Sequence, residues 1–87
     1  MKKIVTVSEV EGEGLIGLMG KRVTFFCMNY IYTGLLMGVN DTCVLLEEPS
    51  IVYETGSFAS KDWKDAQKLP NSLYLQISAF EAFGEVK

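Results

Sequence analysis

At 87 residues, with 48% hydrophobic side chains and a formal net charge of −3, the chain has the size of one small domain and no room for a second core. Two cysteines and no histidine argue against a four-ligand zinc site. One arginine, Arg22, argues against a broad basic face that grips duplex nucleic acid, although single-stranded bases could still be held by stacking and hydrogen bonds.

Residues 4–7, Ile-Val-Thr-Val, read as a short strand or a lead-in, and the charged, glycine-bearing run at 9–14 reads as a solvated connector. The opening lysines resemble the start of a signal peptide, but Glu9, Glu11 and Glu13 end that pattern at once. No apolar run approaches the roughly 18 residues that a membrane-spanning helix needs, so a soluble, cytoplasmic protein is expected. Leu15, Ile16, Leu18 and Met19 have the three- and four-residue spacing of a one- or two-turn amphipathic helix. Gly20 is a fair stop for it.

The stretch from Val23 to Leu46 carries a single formal charge, Asp41, and is rich in β-branched and aromatic residues. Val23, Phe25 and Cys27 alternate with Thr24, Phe26 and Met28, the period of a strand over about 21–28. A turn is expected near Asn29-Tyr30, then a strand over 31–39 bent at Gly34 and Gly38. Asn40-Asp41 makes the next turn, since such side chains bond nearby backbone amides. A third strand runs from Cys43 to Glu48 and continues past Pro49 through 51–55. Cys27 and Cys43 lie in apolar runs and read as buried free thiols, a disulfide between neighbouring strands being the alternative.

The polar segment 56–71 holds the only tryptophan, Trp63. It reads as an inserted loop or a short helix capped by Ser60, running through Ala66 or Gln67 and ended by Pro70-Asn71. Leu73, Leu75 and Ile77 then alternate with Tyr74, Gln76 and Ser78 in a strand over 72–78, and a last strand covers 80–86. The pattern is all-β: a short N-terminal helix followed by five strongly bent antiparallel strands in an SH3-like barrel.

That element order resembles the Sm-like fold of Sm, LSm and Hfq proteins. The run Leu18-Met19-Gly20-Lys21-Arg22-Val23-Thr24-Phe25 resembles the family's entry from helix to first strand. Gly34-Leu35-Leu36-Met37-Gly38-Val39-Asn40 is similar to the core of the first Sm motif, with Asn40 where the family carries an Asp. The second motif falls on Ile77-Ser78-Ala79-Phe80-Glu81-Ala82, where Ser78 and Ala79 replace an arginine and a glycine. The resemblance implies a homo-oligomeric ring, a hexamer or heptamer, that binds single-stranded U- or A-rich RNA. It places Asn40, Asp41, Thr42 and Ser78 nearest the RNA.

Each of those residues has a plainer reading. Asn40, Asp41 and Thr42 can be turn chemistry, and the tyrosines Tyr30, Tyr32, Tyr53 and Tyr74 can be packing partners rather than stacking platforms. Trp63 can fold over its own barrel or anchor a protein partner through 56–71, which gives the alternative function of an interaction scaffold. Catalysis has no support: the chain lacks histidine, a nucleophile elbow and a phosphate loop, and adjacent Glu47 and Glu48 point to opposite faces of a strand. No cofactor and no metal is expected.

Overall fold

The alternation of Val23 and Phe25 with Thr24 builds β1 (Arg22–Cys27) in a computed structural model that describes residues 14–87. The lead-in at 4–7 and the connector up to 13 lie outside the described residues. One helical turn, α1 (Gly14–Gly17), precedes β1, and Leu15 and Leu18 pack against the core while Ile16 and Met19 stay exposed. The apolar face of this turn is therefore narrower than the sequence spacing suggests.

β2 (Ile31–Val39), β3 (Cys43–Glu54), β4 (Asp65–Lys68), β5 (Leu73–Gln76) and β6 (Phe80–Gly84) complete one antiparallel sheet. A 3-10 turn, Ile77–Ala79, separates β5 from β6. The order is β4-β3-β2-β1-β6, with β5 also on β3. β2 occupies one edge of β3, so β4 and β5 share the other edge in succession.

The core is Val23, Phe25, Leu36, Val44, Leu46 and Leu75, drawn from β1, β2, β3 and β5. Removing each such side chain from water contributes about 1.5–3 kcal/mol. Phe80 extends the core along β6, its ring centroid 4.9 Å from that of Phe25, and the more exposed Phe83 ring lies 6.1 Å from it. Thr24, Thr33 and Ser50 are also buried, yet they fall in register across β1, β2 and β3 on the face that Val23 and Phe25 do not use.

Register shifts interrupt three of the strand pairings, and two of the shifts fall between β2 and β3. Between the pairs Thr33↔Ser50 and Leu35↔Glu47, β3 spends one residue more than β2, and Glu48 takes a φ of 49° there. The extra residue switches the face of β3: Val44 and Leu46 enter the core, whereas Ser50 and Val52 lie beyond the switch. Gly34 sits against this bend, because a Cβ there would lie 3.2 Å from the Glu47 carbonyl oxygen, Leu46 Cβ and Pro49 Cα. The second irregularity puts an extra residue on β2 near Met37, which is half exposed.

Three expectations are corrected. The helix from Ser60 through Ala66 or Gln67 is absent; Asp65–Lys68 is a strand paired with Ser50–Glu54. The backbone of β3 offered a hydrogen-bonding edge, while an isolated helix of two turns has little stability of its own. Ser57 rather than Ser60 supplies the local side-chain bond, accepting from the Ala59 N–H at 3.1 Å. The sheet thus has six strands instead of five. The strand expected over 72–78 stops at Gln76, where the 3-10 turn takes Ile77 and Ser78.

Candidate functional site

β2 ends at Val39 and β3 begins at Cys43, so Asn40, Asp41 and Thr42 form the connecting turn. Asn40 Oδ1 accepts from the Thr42 N–H at 2.8 Å, the Thr42 hydroxyl at 3.2 Å and the Cys43 N–H at 2.9 Å. Two backbone donors fix the amide orientation, because only the oxygen can face them. The Asn40 N–H also donates to the Cys43 carbonyl at 3.0 Å, closing the turn. Asn40, rather than Asp41, is the acceptor that holds this turn, and Asp41 is exposed.

The 3-10 turn meets this loop from the far end of the chain. The Ile77 N–H donates to the Thr42 carbonyl at 2.8 Å. That bond extends the ladder of β3 with β5, in which Cys43 faces Gln76 and Val44 faces Leu75. Asp41, Thr42 and Ser78 consequently line one open depression of about 680 Å³, together with Cys43, Tyr74, Gln76 and Ile77. Of the four residues named from sequence, Asn40 braces this depression from behind and the other three line it.

The lining can make hydrogen bonds of both senses. Thr42 and Ser78 carry hydroxyls, Gln76 an amide, and Asp41 the one formal charge. Tyr74 is 69% exposed and lines the depression beside them. An aromatic face next to an amide and two hydroxyls suits a planar polar ring such as a nucleobase. Gln76 was not singled out in the sequence as a site residue. The signal was there, since Tyr74, Gln76 and Ser78 are the outward half of the alternation against Leu73, Leu75 and Ile77.

Ser78 also borders a second depression, lined by Cys27, Met28, Tyr30, Tyr32 and Ala79, where the Tyr30 and Tyr32 rings meet edge to face at 6.2 Å. Desolvation pushes the Cys27 thiol above its ordinary pKa, and the Glu81 carboxylate pushes it the same way. Desolvation likewise raises Tyr32, with Cys27, Tyr30 and Tyr53 adding to it. Both cysteines are free thiols, each partly buried. The cations near β1 do not reach either depression. Lys21 pairs with Glu85 at 3.4 Å, and Arg22 lines a separate hollow with Glu85, Val86 and Lys87.

Among the described residues, no group of three histidine, cysteine or acidic side chains is placed to hold a metal, and no helix is long and apolar enough to cross a membrane. No protein-family model matches the chain, and no curated protein matches it.

Proposed function

We propose that this protein is a cytoplasmic, ring-forming Sm-like protein that binds single-stranded RNA and catalyses no reaction. The observation that carries the reading is the meeting of two turns far apart in sequence. The Asn40–Thr42 turn and the Ile77–Ala79 turn come together through the Thr42–Ile77 bond and line one depression with Tyr74 and Gln76. A base stacked on Tyr74 would find the Gln76 amide and the Ser78 and Thr42 hydroxyls at its edge.

Ring closure is supported by the strand order. β6 pairs only with β1, and β4 and β5 pair only with β3, so both ends of the sheet leave backbone groups without a neighbouring strand among the described residues. Pairing β5 of one copy with β6 of the next would satisfy those two edges at once and generate a closed assembly, with β4 left at its rim. Light scattering at micromolar concentration should return a mass of six or seven chains; a stable monomer sinks the ring. Titration of the assembled protein with oligo-U and oligo-A, first at low and then at moderate salt, tests RNA binding.

The second reading is a ring or scaffold of the same fold that recognises proteins and not RNA. What favours it is the charge of the depression, whose one formal charge is Asp41, in a chain of net charge −3 with Ser78 where the resemblance expects arginine. Absence of any RNA binding at low salt selects this reading.

A further inference from the structure

The loop between β3 and β4 holds a cation that no carboxylate neutralises among the described residues. Lys87 Nζ donates to the carbonyl oxygens of Thr55 at 2.8 Å, Ser57 at 2.8 Å and Asp62 at 3.0 Å. An ammonium has three N–H donors and no acceptor, so three carbonyls satisfy it completely. The same nitrogen lies 4.7 Å from the Trp63 ring centroid and 5.4 Å from that of Phe58. Both distances fall inside the roughly 6 Å over which a ring face attracts a cation. The two ion pairs among the described residues involve Lys21 and Lys64, so carbonyl dipoles and ring faces do the holding here.

The cage is built by bonds in which Lys87 takes no part. Gly56 adopts a φ of 68°, a left-handed turn between the first two carbonyls that a side chain would strain. The Lys64 N–H donates back to the Thr55 carbonyl at 3.4 Å, and the Ser60 N–H to the Ser57 carbonyl at 3.1 Å. The Ala59 N–H donates to Ser57 Oγ at 3.1 Å. Phe58 and Trp63 stand edge to face, with centroids 6.3 Å apart and planes at 87°. Loop bonds therefore fix two of the three carbonyls, those of Thr55 and Ser57, and ring packing fixes the walls.

We propose that loop 55–63 is a binding site for a primary ammonium group, filled in this state by Lys87 and able to take another lysine side chain or a small primary alkylammonium when Lys87 is withdrawn. Three carbonyls gathered around one nitrogen match a tetrahedral ammonium. The planar fork of a guanidinium spreads its donors over three nitrogens and does not match. A quaternary ammonium keeps the attraction to the rings but loses all three hydrogen bonds. Occupancy by Lys87 also ties the segment after β6 to the loop before β4, and β4 and β6 are the two ends of the strand order. The inference depends neither on RNA binding nor on ring formation.

Trp63 is the only tryptophan, so its emission reports on this site alone. The full chain carrying Lys87→Ala should show a saturable change in Trp63 emission with n-butylammonium chloride, and a weaker one with tetramethylammonium chloride. Sodium chloride at equal ionic strength should give none. The parent chain, whose own lysine competes, should need at least about fivefold more n-butylammonium for the same change, given the modest energy of each contact. Equal responses of the Lys87→Ala chain to all three salts overturn the site. A parent that responds as readily as the variant overturns its occupancy by Lys87. A second measurement needs no substitution: under brief acetic anhydride labelling read by mass spectrometry, Lys87 should acylate more slowly than exposed Lys61. Equal rates also overturn the occupancy.

Discussion

The Ile77 N–H and the Thr42 carbonyl, 35 positions apart, are joined at 2.8 Å, and this bond couples the turn after β2 to the turn before β6. Anything that disorders Asn40 should therefore be felt at Ser78, although the two side chains share no direct bond.

The first prediction follows from the three donors on Asn40 Oδ1. Asn40→Ala leaves the Thr42 and Cys43 N–H groups to water, and because the turn is exposed the cost should be near the low end, about 1 kcal/mol. For a domain of this size that lowers Tm by about 4–8 °C. Asn40→Asp keeps the acceptor oxygen and should melt close to the parent. Asp41→Ala removes a side chain that bonds nothing in this turn and should do the same. If Asp41→Ala is the most damaging of the three, the turn is braced by the wrong residue in this account.

Gly34 supplies the second prediction. A Cβ at Gly34 meets two backbone atoms, the Glu47 oxygen and Pro49 Cα, as well as Leu46 Cβ, all at 3.2 Å. Backbone cannot rotate away as a side-chain tip can, so Gly34→Ala should destabilise the chain by about 1–3 kcal/mol. Gly84→Ala is the control, since nothing lies within 4 Å of its Cβ, and it should stay within about 0.5 kcal/mol of the parent. Urea denaturation of both variants checks the pair.

Much of the β framework was legible because its residues announce their own faces. Val23 and Phe25 alternate with Thr24, Leu75 alternates with Tyr74 and Gln76, and the run of Leu36, Val44 and Leu46 surrounds the turn residues Asn40-Asp41. β4 was not legible. All four of its residues are exposed, so Asp-Ala-Gln-Lys shows no alternation, and only backbone bonds to β3 make it a strand. The face switch at Glu48 was equally silent, because a bulge is set by register rather than by composition. Of the candidate depression, alternation already grouped Tyr74, Gln76 and Ser78 on one face, but their approach to Thr42 depends on pairing across more than thirty positions. The Lys87 cage left no trace, since backbone carbonyls belong to every residue type.

The third prediction concerns pH. Cys27 and Tyr32 both have pKa values raised by burial, Cys27 from an ordinary 9.0 and Tyr32 from 10.0. The folded chain thus holds these protons more tightly than the unfolded chain does. Their contribution to stability is fully present below pH 9 and is lost as pH climbs through the raised values. Urea midpoints measured at pH 8, 9, 10 and 11 should fall across that series. Cys27→Ala should flatten the part of the fall that begins near pH 9. A Cys27→Ala chain with the same early fall as the parent removes the thiol from this account.

The last prediction asks whether RNA runs along Ser78. Among the described residues the depression offers hydroxyls, an amide and a tyrosine ring but no cation, and its one formal charge is that of Asp41. Under the RNA-binding reading, affinity then comes from stacking and neutral hydrogen bonds, and its dependence on salt should be shallow. Placing a cation at the centre should change both quantities in a defined way. Ser78 is exposed on the 3-10 turn, so Ser78→Arg can project without displacing core atoms. One added phosphate contact should tighten oligo-U binding at low salt by about tenfold, the scale of a single charge-assisted bond. It should also steepen the slope of log K against log salt by about 0.7, the value for one phosphate on a single strand. Ser78→Ala, which removes only a hydroxyl, should weaken binding slightly and leave the slope alone. If Ser78→Arg changes neither affinity nor slope while the parent binds, the strand passes elsewhere on the surface. If neither chain binds at low salt, the depression is not an RNA site, and the scaffold reading replaces it.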